Sequence, residues 1–358
     1  LATVATDEVS YGSSAVLFQN KVAVATHHTI TLELDTDLAA ALVGVTIDVA
    51  TIETVKTTLS NAVSNIVTSF ALTATADAIT GSAGNDLITG AAGTFGVGDV
   101  IAAGDGIDTL TVSLTGAGPV QSATTMTGVE VLNLTATPNP ASVNMTGVTG
   151  LTDVNNVSSS NAATLTLSNL ANVVNTAITG TDSATTIGYA ATAIAATTDS
   201  ATLTLNGVGA GASFVTSGVE TLTVASATSA NTLSTLTNTG MTTLNITGSQ
   251  ALTLGATATP VGGTTITTVD ASAATGALTL TIAAGASAAT DLIGVTATAP
   301  TSADAGLFTL TTGALRDTVV LGAGTSSVST GAGNDTITAG AGVGTITAGA
   351  GNDTVNAG

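Results

Sequence analysis

Three aspartates near the end of the chain, Asp317, Asp335 and Asp353, recur at a strict interval of 18 residues, and the positions midway between them hold Ser326 and Gly344. Asn334 and Asn352 precede two of these acids, and Gly331, Gly333 and Gly351 lie in the same turns. If 18 residues make one coil of a stacked β-structure, the carboxylates form a column on one edge, roughly 4.8 Å apart, and the opposite edge carries none. Unit charges at that spacing repel by about 3.5 kcal/mol at an effective dielectric of about 20, a cost that a bound cation reverses. Ca²⁺ suits such a column better than Mg²⁺ or Zn²⁺. It accepts irregular cages of carboxylate and carbonyl oxygen, and Gly-rich turns present carbonyls without side-chain obstruction. With no cysteine and only two histidines, softer ligands are scarce. The plain alternative, solvated Asp and Asn in Gly-rich turns, leaves the strict interval unexplained.

The interval comes from a repeat. Within Thr312 to Gly358 five units of nine residues follow one another without a gap, beginning at Thr312, Leu321, Thr330, Ala339 and Ala348, and Ala357 and Gly358 open a sixth. Each of the five has Gly at its second position and a β-branched residue at its eighth (Val319, Val328, Ile337, Ile346, Val355), a turn followed by a short strand. This nonapeptide is similar to the RTX repeat G-G-x-G-x-D-x-U-x, a parallel β-helix signature whose ligand is Ca²⁺. A second cluster resembles it earlier in the chain. Asp77 and Asp86 are nine residues apart, as are Asp99 and Asp108; Gly84 and Asn85 precede Asp86, and Asp105 lies in the turn before Asp108. Consecutive units fall on opposite edges, so short separate sites are expected here unless the irregular loop around Phe95 brings the two halves together.

The chain has 358 residues, a formal net charge of −20 and only three basic side chains. Phosphate contacts need clustered Lys and Arg, so nucleic-acid binding is excluded and cations are the natural partner. Hydrophobic residues reach 44% while aromatics are 2%, which suits a thin core of small aliphatics in stacked β-coils. No apolar run is long enough to span a membrane. Neither a basic start nor an apolar core of a secretory signal is visible, and the repeat breaks off at Gly358, so the chain reads as a fragment of a longer polypeptide.

Residues 112–311 lack the nonapeptide yet repeat two phrases. G-V-E-V-L-N-L at Gly128 returns as G-V-E-T-L-T-V at Gly218 and G-M-T-T-L-N-I at Gly240, with weaker copies at Val154 and Val269. Between them lies A-T-L-T-L at Ala163 and Ala201, A-L-T-L at Ala251 and Ala277, and F-T-L at Phe308. Two short strands per coil, Leu inward and Thr outward, imply a parallel β-solenoid with Asn laddering between coils; an antiparallel sandwich of Thr-rich strands has the same alternation. Ahead of this, Ala15, Val16, Phe18, Val22 and Ala25 form one helical face, and Ile52, Val55, Leu59, Val63, Ile66 and Val67 another. Thr36 or Asp37 and Asp48 are candidate helix caps, with Gly44 as a stop. His27 and His28 lack a third ligand at metal spacing.

The fold expected is therefore mainly β: an elongated parallel β-solenoid of β-roll and β-helix type with a small N-terminal helical segment. Its segments are residues 1–70 (helical), 71–111 (first calcium-binding repeats), 112–311 (Thr/Ala-rich solenoid) and 312–358 (nonapeptide β-roll). The nonapeptides, the G-V-E-x-L phrase and the helical stretch Phe18-Gln19-Asn20-Lys21-Val22 together resemble the calcium-dependent surface-layer proteins of Gram-negative bacteria, RTX proteins exported by type I secretion. That resemblance implies an extracellular, cell-surface protein without an N-terminal signal peptide, whose partners are copies of itself joined through Ca²⁺. It also implies anchoring to surface polysaccharide by an N-terminal helical domain, most of which this chain lacks. No Cys, H-E-x-x-H or Ser-His-Asp constellation occurs, so no enzyme activity is expected. An RTX biofilm adhesin, or the secretion module of an RTX enzyme whose catalytic part lies elsewhere, are the other readings. Acids expected outside the column, and available to bridge copies, are Asp105, Glu130, Glu220 and Asp270.

Overall fold

Strict alternation of Leu, Val or Ile with Thr, Ser or Asn gives a strand one apolar and one polar face, and a stack of such strands closes only if the apolar faces of two walls meet. The computed structural model describes residues 9–27, 42–43, 45–46, 48, 50–56, 68–96, 98–115, 121–122, 125–255, 268–281, 293–299, 308–312, 316–342 and 344–357. One wall is a fourteen-stranded sheet running from Thr68–Ala71 to Thr354–Asn356. The other wall is built in succession from three sheets. The first has three strands (Ala78–Thr80, Val100–Ala102, Thr125–Thr127), the second six, from Gln121–Ser122 to Thr235–Thr239, and the third six, from Asn231–Leu233 to Gly344–Thr347. The ladders between successive strands are parallel, for example Leu110 to Leu132, Val143 to Leu167 and Val328 to Ile346. The chain is a parallel β-solenoid, and the antiparallel alternative is overturned.

Burial follows the alternation. Strand Val131–Ala136 buries Leu132, Leu134 and Ala136, and strand Thr221–Ala227 buries Leu222, Val224 and Ser226. Because the register is parallel, like sits on like: Ile88, Leu110, Leu132 and Val154 form one inner column. A single apolar cluster runs from Leu72 to Ile337. The coil is 22 residues long between Asn133 and Asn155, 27 between Thr179 and Asn206, and 18 between Asp317 and Asp335. The G-V-E and G-M-T phrases all enter strands of the long wall, whereas the A-T-L-T-L and A-L-T-L copies at Ala163, Ala251 and Ala277 enter the other one. The copy at Ala201 departs from this, lying in the long-wall strand Ser200–Asn206. Leu-Thr alternation fits either wall; the preceding turn decides which.

Outward-facing Asn ladders as expected: Asn155 Nδ2 donates to Asn133 Oδ1 at 2.8 Å, and Asn133 Nδ2 to Thr111 Oγ1 at 3.3 Å. Inside, the column that continues Val112 and Leu134 receives a polar residue, Asn156. Its Nδ2 donates to Ser183 Oγ (2.9 Å) and Thr185 Oγ1 (2.7 Å), and its Oδ1 accepts from Ser159 Oγ at 2.6 Å. All four residues are buried.

Helix α1, Val9–Thr26, spans the apolar positions from Ala15 to Ala25, but its covered face differs from the expected one. Val16 and Phe18 are exposed, while Asn20 and Val24 are buried, one turn apart. The partner chose the face: Asn20 Nδ2 donates to the Thr46 carbonyl at 2.7 Å, and Val24 packs with Val45 and Ile52. Asp48 caps the short helix at 50–56 through its Oδ1, which accepts the Ala50 N–H at 3.0 Å. Thr36, Asp37, Gly44, Leu59, Val63, Ile66, Val67 and His28 lie outside the described residues.

Replacing Asn156 with Ala leaves Ser183, Thr185 and Ser159 without their partner in a dry interior. A loss of roughly 2–4 kcal/mol is expected, against about 0.5–1 kcal/mol for Asn155→Ala on the outer ladder. Urea denaturation of the two variants checks the ordering.

Candidate calcium-binding edge

At the corner where the chain enters the long wall, backbone N–H groups run along the stack rather than within their own coil, and each needs an acceptor from the next coil. Acidic side chains supply it repeatedly. Asp317 N–H donates to Asp335 Oδ1 at 2.8 Å and Asp335 N–H to Asp353 Oδ1 at 3.0 Å. Asp86 N–H donates to Asp108 Oδ1 at 2.7 Å. The 18-residue coil and the one-edge column are thus as expected, with Ser326 and Gly344 in register on the opposite wall. The environment is not: Asp317 and Asp335 are buried, at 0% and 1% exposure, so the column is held by backbone amides inside the edge rather than standing in solvent.

In the first cluster the acids pair differently from the nine-residue spacing. The loop around Phe95, itself buried, lengthens the coil to 22 residues, so Asp86 meets Asp108, and Asp77 N–H donates to Asp99 Oδ1 at 3.0 Å on the other edge. The irregular loop joins what consecutive units alone would have kept apart. Register also corrects two assignments. Glu130 and Glu220 do not stand outside the column: Asp108 N–H donates to Glu130 Oε2, and Asp199 N–H to Glu220 Oε2, both at 2.8 Å. The signal was present in the sequence, an acid immediately ahead of a Leu-alternating strand in G-V-E-V-L as in G-N-D-L-I.

The second carboxylate oxygen separates closed from open turns. Asp86 accepts Ser82 N–H at 2.6 Å and Ser82 Oγ at 3.0 Å; Asp77 accepts Thr73 N–H at 2.7 Å and Thr73 Oγ1 at 2.9 Å. Asp317 accepts Thr312 Oγ1 at 2.5 Å. Four residues before Asp108 stands Gly104, which has no hydroxyl, and five before Asp335 stands Thr330, whose hydroxyl donates to the Ala348 carbonyl at 3.0 Å instead; in both turns the aspartate Oδ2 is buried without a hydrogen-bond partner. A buried carboxylate oxygen with no donor is what a hard cation answers.

The backbone around these oxygens is open only because it is glycine. A Cβ at Gly349 would lie 1.6 Å from the Gly331 carbonyl oxygen, and one at Gly351 the same distance from that of Gly333. Gly331, Gly333 and Gly351 all have positive φ. Asn352 N–H donates to Asn334 Oδ1 at 2.8 Å, and Ile107 N–H to Asn85 Oδ1 at 2.9 Å, so both asparagines lock the stack. Gly84 is buried, with its carbonyl oxygen 2.8 Å from where a Cβ of Gly106 would be, and Asp105 is exposed. Among the described residues no three Asp, Glu or His side chains converge on one point. The carbonyl oxygens that the glycine turns present beside these acids are the further ligands at hand, and a mixed set of carboxylate and carbonyl oxygen fits Ca²⁺. His27 follows helix α1, half-buried and away from any such cluster among the described residues.

Burial pushes the Asp108 carboxyl up to about 6, with the charges of Asp86, Glu130 and Asp105 adding to it and the Asp86 N–H opposing it.

Two stretches match the RTX calcium-binding nonapeptide repeat, at residues 73–94 and again, in overlapping copies, at 311–346 and 329–358. No curated protein and no solved structure matches the chain. RTX nonapeptide repeats bind Ca²⁺, which makes calcium the cofactor of this chain, and proteins carrying them are typically secreted. No described helix is long and apolar enough to cross a membrane.

Asp335→Asn keeps the acceptor for Asp317 N–H and removes one charge. Calcium affinity measured by calorimetry is expected to fall about tenfold to a hundredfold, while Ser326→Ala leaves it unchanged; equal affinities would refute the one-edge column. The folded state favours the protonated form of Asp108, so in chelator the stability it contributes is present below about pH 4 and lost as pH rises through about 6. Asp108→Asn should remove that part of the pH dependence in chemical denaturation, and saturating calcium should reverse its sign.

Proposed function

We propose that this chain is a structural, non-catalytic part of an extracellular surface layer or filament, a subunit that orders in calcium and assembles with copies of itself. The observation that carries the reading is the distribution of polarity over the solenoid. Thr221, Thr243 and Thr268 stand in register on the outer face of the long wall, and so do Thr318, Thr336 and Thr354. Acids are gathered at the corners. Broad, flat, uncharged sheet faces are surfaces that monomeric proteins normally avoid.

At a net charge of −20, copies repel at long range, so contact requires a divalent cation and not merely screening. Glu130 and Glu220 are engaged by backbone amides, which leaves Asp105, exposed in its turn, and Asp270, half-buried at a strand end, as acids to bridge copies. Calcium at the nonapeptides closes the turns outside the cell, where it is about millimolar, and leaves them open inside, where it is scarce. Anchoring to surface polysaccharide, implied by the resemblance to surface-layer proteins, would belong to the region of helix α1 and what precedes it.

Light scattering and electron microscopy of the purified chain, in sodium chloride alone and with about millimolar calcium added, test the reading. Ordered sheets or filaments only in calcium are the expected result. Particles that stay monomeric in calcium at high protein concentration would favour a biofilm adhesin instead.

A further inference from the structure

Among the described residues three carboxylate oxygens are buried without a hydrogen-bond partner: Oδ2 of Asp108, of Asp199 and of Asp335. All three occupy one structural position. Each belongs to an aspartate at the entry to a long-wall strand whose own N–H donates to an acid one coil later, Asp335 to Asp353 at 3.0 Å, Asp108 to Glu130 at 2.8 Å and Asp199 to Glu220 at 2.8 Å. Only the first pair lies wholly in nonapeptides; Asp108 belongs to the earlier nonapeptide-like cluster, but the acid it reaches does not. The other two end on the glutamates of Gly128-Val129-Glu130 and Gly218-Val219-Glu220.

A positive-φ glycine two residues before the acid repeats as well, although its angle differs: Gly128 and Gly218 have φ of +71° and +76°, Gly333 and Gly351 of the nonapeptide turns +149° and +143°. A Cβ on Gly128 would lie 2.7 Å from the Gly104 carbonyl oxygen, so this turn brings a main-chain oxygen against the next coil as the nonapeptide turns do; a Cβ on Gly218 would instead meet the Ile194 side chain, so at Asp199–Glu220 the paired acids alone carry the likeness. Asp108 is wholly buried, and Asp86, Asp105 and Glu130 all act on it electrostatically. An unpartnered interior carboxylate oxygen beside a second acid is unfavourable twice over, by desolvation and by repulsion, and one divalent cation removes both.

We propose that Asp108–Glu130 and Asp199–Glu220 are divalent-cation sites of the calcium class whose paired acids are arranged as in Asp335–Asp353, and that G-V-E is the form the calcium turn takes in coils longer than two nonapeptides. The proposal rests on calcium binding by the nonapeptides and extends it into the Thr-rich middle. The phrase Gly240-Met241-Thr242 supplies the contrast within the same wall. Thr242 follows Glu220 in register but brings no carboxylate, and its hydroxyl donates to the Glu220 carbonyl at 3.2 Å.

Tyr189 makes the second site visible. The chain has two tyrosines and no tryptophan, and Tyr189, its phenol raised above the ordinary value mainly by burial, is near enough to Asp199 for that charge to contribute. Terbium, used as the probe in the full chain carrying Tyr11→Phe, should show tyrosine-sensitised emission that calcium competes away. Emission should vanish in Glu220→Gln and persist in Asp335→Asn. Gln keeps an oxygen acceptor for the Asp199 N–H, and circular dichroism in calcium checks that the fold is retained. In parallel, calcium bound per chain by equilibrium dialysis should fall in Glu130→Gln and not in Thr242→Val. If both glutamine variants match wild type in emission and in bound calcium while Asp335→Asn loses calcium, this proposal falls and the assembly reading stands. If wild type binds no calcium at all, both fall together.

Discussion

A coil of a parallel solenoid satisfies few of its own backbone groups; nearly all its strand N–H and C=O groups reach to the coil above or below. Everything else in this chain follows from keeping that register. Side chains must alternate so that one wall meets the other, inner positions must stack like on like, and each corner must find an acceptor for the amide at the strand entry. Ile88, Leu110, Leu132 and Val154 meet the second demand, and Asp108, Glu130, Asp335 and Asp353 the third.

Coil length is free within that constraint. Insertions such as the loop at Phe95 leave the wall undisturbed because they are absorbed between corners, and that is why nine-residue counting failed between Asp77 and Asp108. The nonapeptides were legible since unit length and coil length coincide there, and the Leu-Thr phrases were legible since alternation fixes inward and outward. Which wall a phrase joins was not, as the copies at Ala163 and Ala201 show: identical five-residue strings in opposite walls. Nor was the covered face of helix α1, which the Asn20 contact to the Thr46 carbonyl and the packing of Val24 with Val45 and Ile52 select over a more apolar stripe.

The candidate site was half visible for a related reason. Sequence spacing finds an acid column where the period is constant, but Glu130 and Glu220 join theirs only through strand register. What the sequence could not convey is that the carboxylates sit inside the edge, with one oxygen on a neighbouring amide. Charge in such a place is held by the fold, and the fold in turn is sensitive to the charge.

That arrangement has a sense of direction. Along the column the amide always belongs to the earlier coil and the carboxylate to the later one, from Asp317 to Asp335 to Asp353. Each coil gives its strand-entry amide to the coil after it and its carboxylate oxygen to the coil before it, so the two faces of a coil differ in kind, one offering donors and the other acceptors. The stack is therefore an arrow: a coil turned end for end would set amide against amide.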